Sequence, residues 1–225
     1  MVVSAAPRVS SFGNLKHFFK DHKPSNTPPR CLDCRLADDG CPYSAKKYYF
    51  TKLKEDTFQW PLDMVIDNPD AGLLNKALRE GPYGRCVYEC DNDVVDSQIV
   101  NMEFEEDIIA TLTMSAFAPI GRRVRIMGSM GYLEGDEKTI KVLDFRNDQW
   151  VEYDVNDLAG DMSGGHGGGD NVMMRDFVKA INCNDAGYIK TGPDVSLESH
   201  LMVFAAEKSR LENKVVNMED IYSKL

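Results

Sequence analysis

The sequence predicts an α+β fold: a large, predominantly antiparallel β-sheet with helices packed on one of its faces. The main observation is a period of two, because apolar residues recur at every second position through much of the stretch from Gly84 to Asp154. The links between these alternating segments are short and contain Gly, Asn and Asp, which favours antiparallel neighbours. Segments with helical periodicity lie before and after this region, and they are able to cover one face of the sheet.

Each element is predicted from its local pattern. Residues 9–13 alternate and form the first strand, and the prolines within residues 20–30 then require a loop. Asp70 and Asp170 are predicted to cap the helices that follow them. The predicted helices cover residues 44–53, 70–79, 171–182 and 194–213. The predicted strands of the main sheet cover residues 100–104, 108–116, 122–127, 131–134, 139–145 and 150–155, and an edge strand covers residues 214–217.

The two faces of the predicted sheet differ in character. One is apolar and needs a cover of helices, whereas the other mixes Thr and Arg with Ile109, Phe117 and Met127. Large apolar side chains on a broad, partly polar surface are typical of a contact with a second subunit. We therefore predict a homo-oligomer that forms through this open face of the sheet.

Composition and charge restrict the classes of partner. The chain has 225 residues, a formal net charge of −10 and a pI near 4.9, and its Lys and Arg residues are scattered, which argues against a nucleic-acid partner. Its apolar runs are far shorter than the roughly 20 residues that span a bilayer, and residues 1–6 are too short for a signal peptide. We expect a cytoplasmic protein without a membrane partner, in which the six cysteines are reduced or bind metal.

A cysteine motif follows the proline-rich loop. Cys31-x-x-Cys34 places two thiolates on one tight turn, and Cys41 lies close enough along the chain to act as a third ligand of a tetrahedral metal ion. The sequence therefore predicts a structural zinc site, because four protein ligands leave no position open for water. The alternative is a loop with three reduced thiols and no metal. The favoured fourth ligand is His17, and the further candidates are His22, Cys86 and Cys90.

A glycine-rich loop carries the second candidate site. Five glycines occupy residues 164–169, a density that indicates a sharp turn or a close approach of the backbone to a ligand. The spacing matches neither a P-loop nor a dinucleotide fingerprint, so a phosphate site is not predicted. His166 is the one functional side chain within this run, and it is either a solvated loop residue or a ligand-binding residue. The next helix has a predicted buried stripe of Met173, Met174, Phe177, Val178 and Ile181.

The order of several motifs resembles one known family. The motifs are VSSFG at residues 9–13, RCLDC and CPYSA within 30–45, GRRVRIMG at 121–128, GGHGGGD at 164–170 with MRDFV at 174–178, and SLESHL at 196–201 with FAAE at 204–207. Together they look like the C-terminal domain of the glucose-fructose oxidoreductase / inositol dehydrogenase (Gfo/Idh/MocA) family. On this resemblance residues 1–225 form one such domain, with the first strand, cysteine loop and early helices in 7–83, the main sheet in 84–156, and the glycine-rich loop and late helices in 157–225.

The resemblance also implies a function, although this chain departs from the pattern of the full-length family members. Full-length members begin with a Rossmann domain, a glycine-rich nucleotide loop and a Glu-Lys-Pro segment with the catalytic lysine, and this chain contains none of these. We expect a fragment of a longer NAD- or NADP-dependent oxidoreductase, with no catalytic residue of its own, no cofactor binding and no turnover.

In the parent protein the resemblance implies a small-molecule substrate, a sugar, polyol or related hydroxyl compound. His166 is then a substrate-binding residue, with Asp170 as a second candidate. The alternative from a different class is a stand-alone, zinc-stabilised protein-interaction module.

Overall fold

The structure is a computed structural model that describes residues 6–55, 58, 60–119, 121–159 and 165–223. Within these residues the chain is α+β, as the sequence predicts. The strands are β1 (Arg8–Asn14), β2 (Ser97–Glu103), β3 (Ile109–Ser115), β4 (Val124–Met127), β5 (Gly131–Gly135), β6 (Thr139–Asp144), β7 (Gln149–Asp154) and β8 (Val216–Asn217). The α-helices are α1 (Ala45–Lys54), α2 (Ala71–Glu80), α3 (Val155–Ala159), α4 (Gly169–Cys183), α5 (Pro193–Glu212) and α6 (Glu219–Tyr222).

The described strands form two four-stranded antiparallel sheets, whereas the sequence predicts one large sheet. The first sheet has the order β3-β2-β1-β8, with β8 as the predicted edge strand, and the second has the order β4-β5-β6-β7. The division follows β3, where the Ala116 N–H donates to the Asp96 carbonyl at 2.8 Å. Pro119 lies in the link to β4, and β4 then pairs only with β5 among the described strands. A period of two identifies strands but carries no information about their partners.

Contacts along the chain define two compact units, and the first comprises Met1–Ser11, Val100–Thr111 and Phe117–Leu225. Its core forms where α5 places Leu201, Ala205 and Ala206 against Val9 and Val100. Here a helix covers one face of the first sheet, as predicted. The same helix buries Ser209, whose Oγ accepts the Ser11 N–H at 2.8 Å and donates to the Lys214 carbonyl at 2.6 Å.

The second unit comprises Phe12–Ile99 and Leu112–Ala116. Its core contains Leu62, Ile66, Leu74 and Leu78, which are all buried. Asp70 caps α2, as the sequence predicts, because its carboxylate accepts the Leu73 N–H at 2.7 Å. Ser44 caps α1 in the same way, with its Oγ accepting the Lys47 N–H at 3.1 Å.

Several predicted core positions are exposed instead. The five side chains of the predicted stripe of α4 are 48% to 62% exposed. The buried residue of α4 is Ala180 among the residues that the structure describes. The residues of the predicted open face are divided between the two sheets, because Ile109 lies on β3 and Met127 on β4. Both side chains are strongly exposed, at 76% and 81%. Within the described residues no helix is long and apolar enough to cross a membrane.

Candidate functional site

The glycine-rich segment forms a short turn that leads directly into α4. Gly165–Gly168 is a 3-10 turn, and α4 begins at Gly169. Two residues of the turn have left-handed backbone conformations, His166 with φ 54° and Gly168 with φ 84°. A non-glycine residue rarely adopts this conformation, and such backbone strain is often found at functional sites. Residues 160–164, which belong to the predicted loop, lie outside the described residues.

The turn brings the two predicted substrate-binding residues together. His166 Nδ1 lies 3.0 Å from Asp170 Oδ1 and 3.1 Å from Asp170 Oδ2, four residues further along the chain. A carboxylate only accepts hydrogen bonds, so Nδ1–H donates to Asp170. The carboxylate thereby fixes both the tautomer and the orientation of the ring, and Nε2 on the opposite edge is left as the acceptor for a ligand.

Asp170 does not cap the helix, contrary to the sequence prediction. The N-cap is Gly168, which has no side chain to accept a hydrogen bond, and Asp170 is the second residue of α4. Its carboxylate is turned to His166 instead. A carboxylate in the first turn still interacts favourably with the helix dipole, so Asp170 combines this local role with the orientation of the imidazole.

The surroundings of the pair are open and apolar on one side. The side chains of His166 and Asp170 are 81% and 51% exposed. Met173, Met174 and Phe177 follow Asp170 at helical spacing, so they continue its face of α4, and all three are exposed. The polar pair therefore lies at the end of an exposed apolar stripe of α4.

The predicted zinc residues lie in the second unit. Cys31, Cys34 and Cys41 line a small cavity together with Cys86, and His17 is not among the residues that line it. All six cysteines are free thiols. In the part of the chain that the structure describes, no group of three or more His, Cys, Asp or Glu residues is already arranged to hold a metal ion. The zinc prediction with His17 as fourth ligand therefore gains no support from the side chains as they stand.

His17 belongs to an aromatic cluster. Its Nε2 lies 3.3 Å from the Tyr88 hydroxyl, and its ring contacts the rings of Phe18 and Tyr43 at centroid distances of 5.0 and 5.3 Å. Cys86 and Cys90, two further candidates for the fourth ligand, lie on either side of a 3-10 turn, Val87–Glu89. Cys90 donates its thiol to the Cys86 carbonyl at 3.5 Å.

Asp96, which no sequence pattern singles out, holds the backbone of this cluster. Its buried carboxylate accepts the N–H groups of Lys16 at 3.0 Å and His17 at 2.6 Å. Burial acts to raise the pKa of Asp96, but the backbone donors His17, Lys16 and Phe18 outweigh burial and hold the pKa below its usual value. Asp96 lies in the run DNDVVD at residues 91–96, where nothing in the sequence distinguishes a buried acidic residue from its exposed neighbours.

Comparisons with known proteins give structural similarities of limited extent. No family model and no curated protein matches the chain. Among solved structures, the chain is similar to an oxidoreductase from Agrobacterium radiobacter in complex with NAD+, L-tartaric acid and magnesium, with 12% identity, a TM-score of 0.47 and 59% of this chain covered. It is also similar to a protein described as an NADPH-dependent oxidoreductase from Desulfitobacterium hafniense, with 20% identity, a TM-score of 0.44 and 57% covered.

A third similar structure is described as an oxidoreductase from Thermotoga maritima, with 18% identity, a TM-score of 0.40 and 55% of this chain covered. The matched regions span 42%, 39% and 35% of the three structures' own chains, so this chain corresponds to less than half of each. All three are described as oxidoreductases, but at these identities and TM-scores the similarities alone establish neither a shared fold nor a shared activity.

Proposed function

We propose that this chain is the substrate-binding and oligomerisation domain of an NAD(P)-dependent oxidoreductase that acts on a sugar, a polyol or a related hydroxyl compound. The order of motifs along the sequence supports the class of protein. The single structural observation that carries the role of this chain is the His166–Asp170 pair at the start of α4, in which the carboxylate orients the imidazole.

The chemistry of the pair suits a hydroxyl ligand. With Nδ1–H donated to Asp170, neutral His166 accepts a substrate O–H at Nε2, and the glycines beside it allow the backbone to approach the ligand closely. Its role is to position the hydroxyl-bearing carbon for reaction, which contributes through orientation rather than through proton transfer. The general base and the hydride acceptor belong to segments of the parent protein outside this chain.

The residues of this chain do not fit a dinucleotide site. The glycine-rich turn lacks the G-x-G-x-x-G spacing, and among the described residues the element before it is the helix α3, whereas a dinucleotide-binding turn follows a strand. No step of a reaction is therefore assigned to a cofactor held by this chain, and the chain alone is expected to be inactive.

Self-association is the second part of the proposal. Ile109, Phe117 and Met127 are 76%, 44% and 81% exposed, and exposed apolar side chains of this size are characteristic of contact surfaces. We expect a dimer or a larger assembly. Sedimentation at about 10–50 μM, a range that populates an interface of moderate affinity, measures this directly, and a clean monomer contradicts it.

The substrate role is tested by kinetics of the longer protein that contains this chain. His166→Ala removes the acceptor, and Asp170→Asn weakens its orientation, so both are expected to lower kcat/KM by about tenfold or more. Thermal stability should stay unchanged, because an exposed pair contributes little to it.

His200→Ala is the matched control. His200 is also exposed, and its Nδ1 is bonded within its own helix, 2.7 Å from the Ser196 carbonyl. Wild-type kinetics for His166→Ala, or an equal loss for His200→Ala, contradicts a substrate contact at His166.

The stand-alone, zinc-stabilised interaction module remains the second candidate, and the clustering of four cysteines around one cavity favours it. The reading frame around this chain separates the two functions. A Rossmann-encoding segment in the same frame supports the oxidoreductase, whereas a frame without one supports the module.

A further inference from the structure

Four cysteines from two separate parts of the sequence meet at one cavity of the second unit. Cys31, Cys34 and Cys41 belong to one loop, and Cys86 comes from more than forty residues later in the chain. Backbone contacts hold the two segments side by side: Arg30 and Arg85 form an antiparallel bridge, and the Cys86 N–H donates to the Pro29 carbonyl at 2.8 Å. The fourth thiol is thus brought to the loop by the fold itself.

We propose that Cys31, Cys34, Cys41 and Cys86 bind one zinc ion as a structural tetrathiolate centre. This inference does not depend on the proposed function. The Cys31-x-x-Cys34 spacing matches the paired ligands of structural zinc sites, and Cys41 and Cys86 complete a set of four. Binding replaces the proton of each thiol by a bond to Zn²⁺, so Zn²⁺ and four thiols give Zn(S-Cys)₄²⁻ and four protons.

The loop already has the backbone of such a site. The Cys34 N–H donates to the Cys31 carbonyl at 3.1 Å, and the Ala37 N–H donates to the Cys34 carbonyl at 3.0 Å, so each cysteine of the pair begins a tight turn. The step that remains is convergence of the side chains. Zn–S bonds of about 2.3 Å place tetrahedral sulfurs about 3.8 Å apart, and rotation about χ1 is the motion that brings cysteines lining one cavity together.

The size of the cavity favours a single ion. Its volume is about 30 Å³. Organic ligands occupy pockets of roughly 300 Å³ or more, and an iron–sulfur cluster also needs far more room than one metal ion. Pro28, Ala37 and Val87 contribute apolar walls. Arg30 and Arg85 also line the cavity, and their guanidinium groups are bonded to the Gly81 carbonyl and to the Asp91 carboxylate.

Two of the other candidate ligands, His17 and Cys90, have hydrogen-bond partners of their own. His17 Nε2 lies beside the Tyr88 hydroxyl, and the Cys90 thiol donates to the Cys86 carbonyl. Cys183 is exposed on α4, in the first unit.

The first experiment is elemental analysis of the chain purified under reducing conditions without chelators. The wild type should contain about one equivalent of zinc, and Cys86→Ser and Cys34→Ser should fall below about 0.3 equivalents. Cys90→Ser, Cys183→Ser and His17→Ala are the matched controls, and each should retain the metal. Zinc-free wild-type protein that does not take up added Zn²⁺ overturns the proposal, as does iron in place of zinc. Retention by Cys86→Ser with loss by His17→Ala also overturns it.

A second measurement avoids variants that fail to fold. Wild-type protein reconstituted with Co²⁺ should show the intense thiolate-to-cobalt charge-transfer bands and the visible absorption of a tetrahedral tetrathiolate site. A weak octahedral spectrum, or charge-transfer intensity that corresponds to three thiolates, contradicts a four-cysteine centre. Neither experiment involves a substrate or NAD(P), so its failure leaves the proposed function untouched.

Discussion

Ser209→Ala tests the core of the first unit, because one hydroxyl there serves two backbone groups. Ser209 is 1% exposed, and its Oγ accepts the Ser11 N–H at 2.8 Å and donates to the Lys214 carbonyl at 2.6 Å. Removal of the hydroxyl takes one acceptor and one donor from a region that water cannot easily enter. Each lost partner of a buried polar group costs about 1–3 kcal/mol. Two lost partners therefore cost about 2–6 kcal/mol, and alanine is the better helix former by about 0.5 kcal/mol, so the net loss should be about 1.5–5.5 kcal/mol.

The matched control is Ser199→Ala in the same helix, α5. The Ser199 Oγ is exposed and donates to the Ser196 carbonyl at 2.7 Å, so its loss should change the free energy of unfolding by less than about 0.5 kcal/mol. Urea unfolding measures both variants, and amide hydrogen exchange at Ser11 localises the effect to β1. Equal stabilities of the two variants, or unchanged exchange at Ser11, would contradict a stabilising role of the Ser209 hydroxyl.

Three further predictions concern other parts of the chain. Gly84→Ala should strongly destabilise the second unit in thermal unfolding, because a Cβ at Gly84 would lie 1.6 Å from the Leu78 carbonyl oxygen; a wild-type melting temperature contradicts this. The pKa of Asp96 is lower in the folded state than in the unfolded state, so as the pH falls the unfolded state is protonated first. The contribution of Asp96 to the free energy of unfolding is therefore lost as the pH falls below about 4. Asp96→Asn should flatten this acid-induced loss in unfolding curves recorded from pH 7 to 3, and an unchanged pH profile argues against it. Burial and the hydrogen bond to Glu198 raise the pKa of Tyr222 to about 12, so Glu198→Gln should bring its ultraviolet titration to lower pH, and an unshifted titration contradicts the contact.

The sequence predicts the elements of this fold better than their arrangement. Period-two alternation locates β1 to β7 within a few residues of their observed bounds, because side-chain direction is a local property. The sheet to which a strand belongs depends on contacts far along the chain, which a local pattern does not contain. Alternation therefore predicts Ile109 and Met127 on one face, whereas they lie in different sheets. The two helix caps at Ser44 and Asp70 follow the rule for short polar side chains.

The candidate sites show the same limit. Asp170 satisfies the sequence rule for an N-cap, yet the preceding glycines let the helix begin earlier and leave its carboxylate for His166. A backbone bridge between Arg30 and Arg85 places Cys86 beside the cysteine loop. This is a long-range contact, and no local sequence pattern predicts it. Periodicity predicts that the apolar stripe of α4 is buried, yet its residues are exposed. The pattern identifies an apolar face of a helix but not the element that covers it.

The most direct test of the proposed oxidoreductase is a titration of NAD+ and NADP+ into the protein produced from the complete reading frame around this chain. Isothermal calorimetry should show saturable binding of one of the two cofactors by the longer protein, and no binding by residues 1–225 alone at the same concentrations. A longer protein that binds neither cofactor, or full binding by residues 1–225, would contradict the assignment of this chain as the substrate-binding domain of an NAD(P)-dependent oxidoreductase.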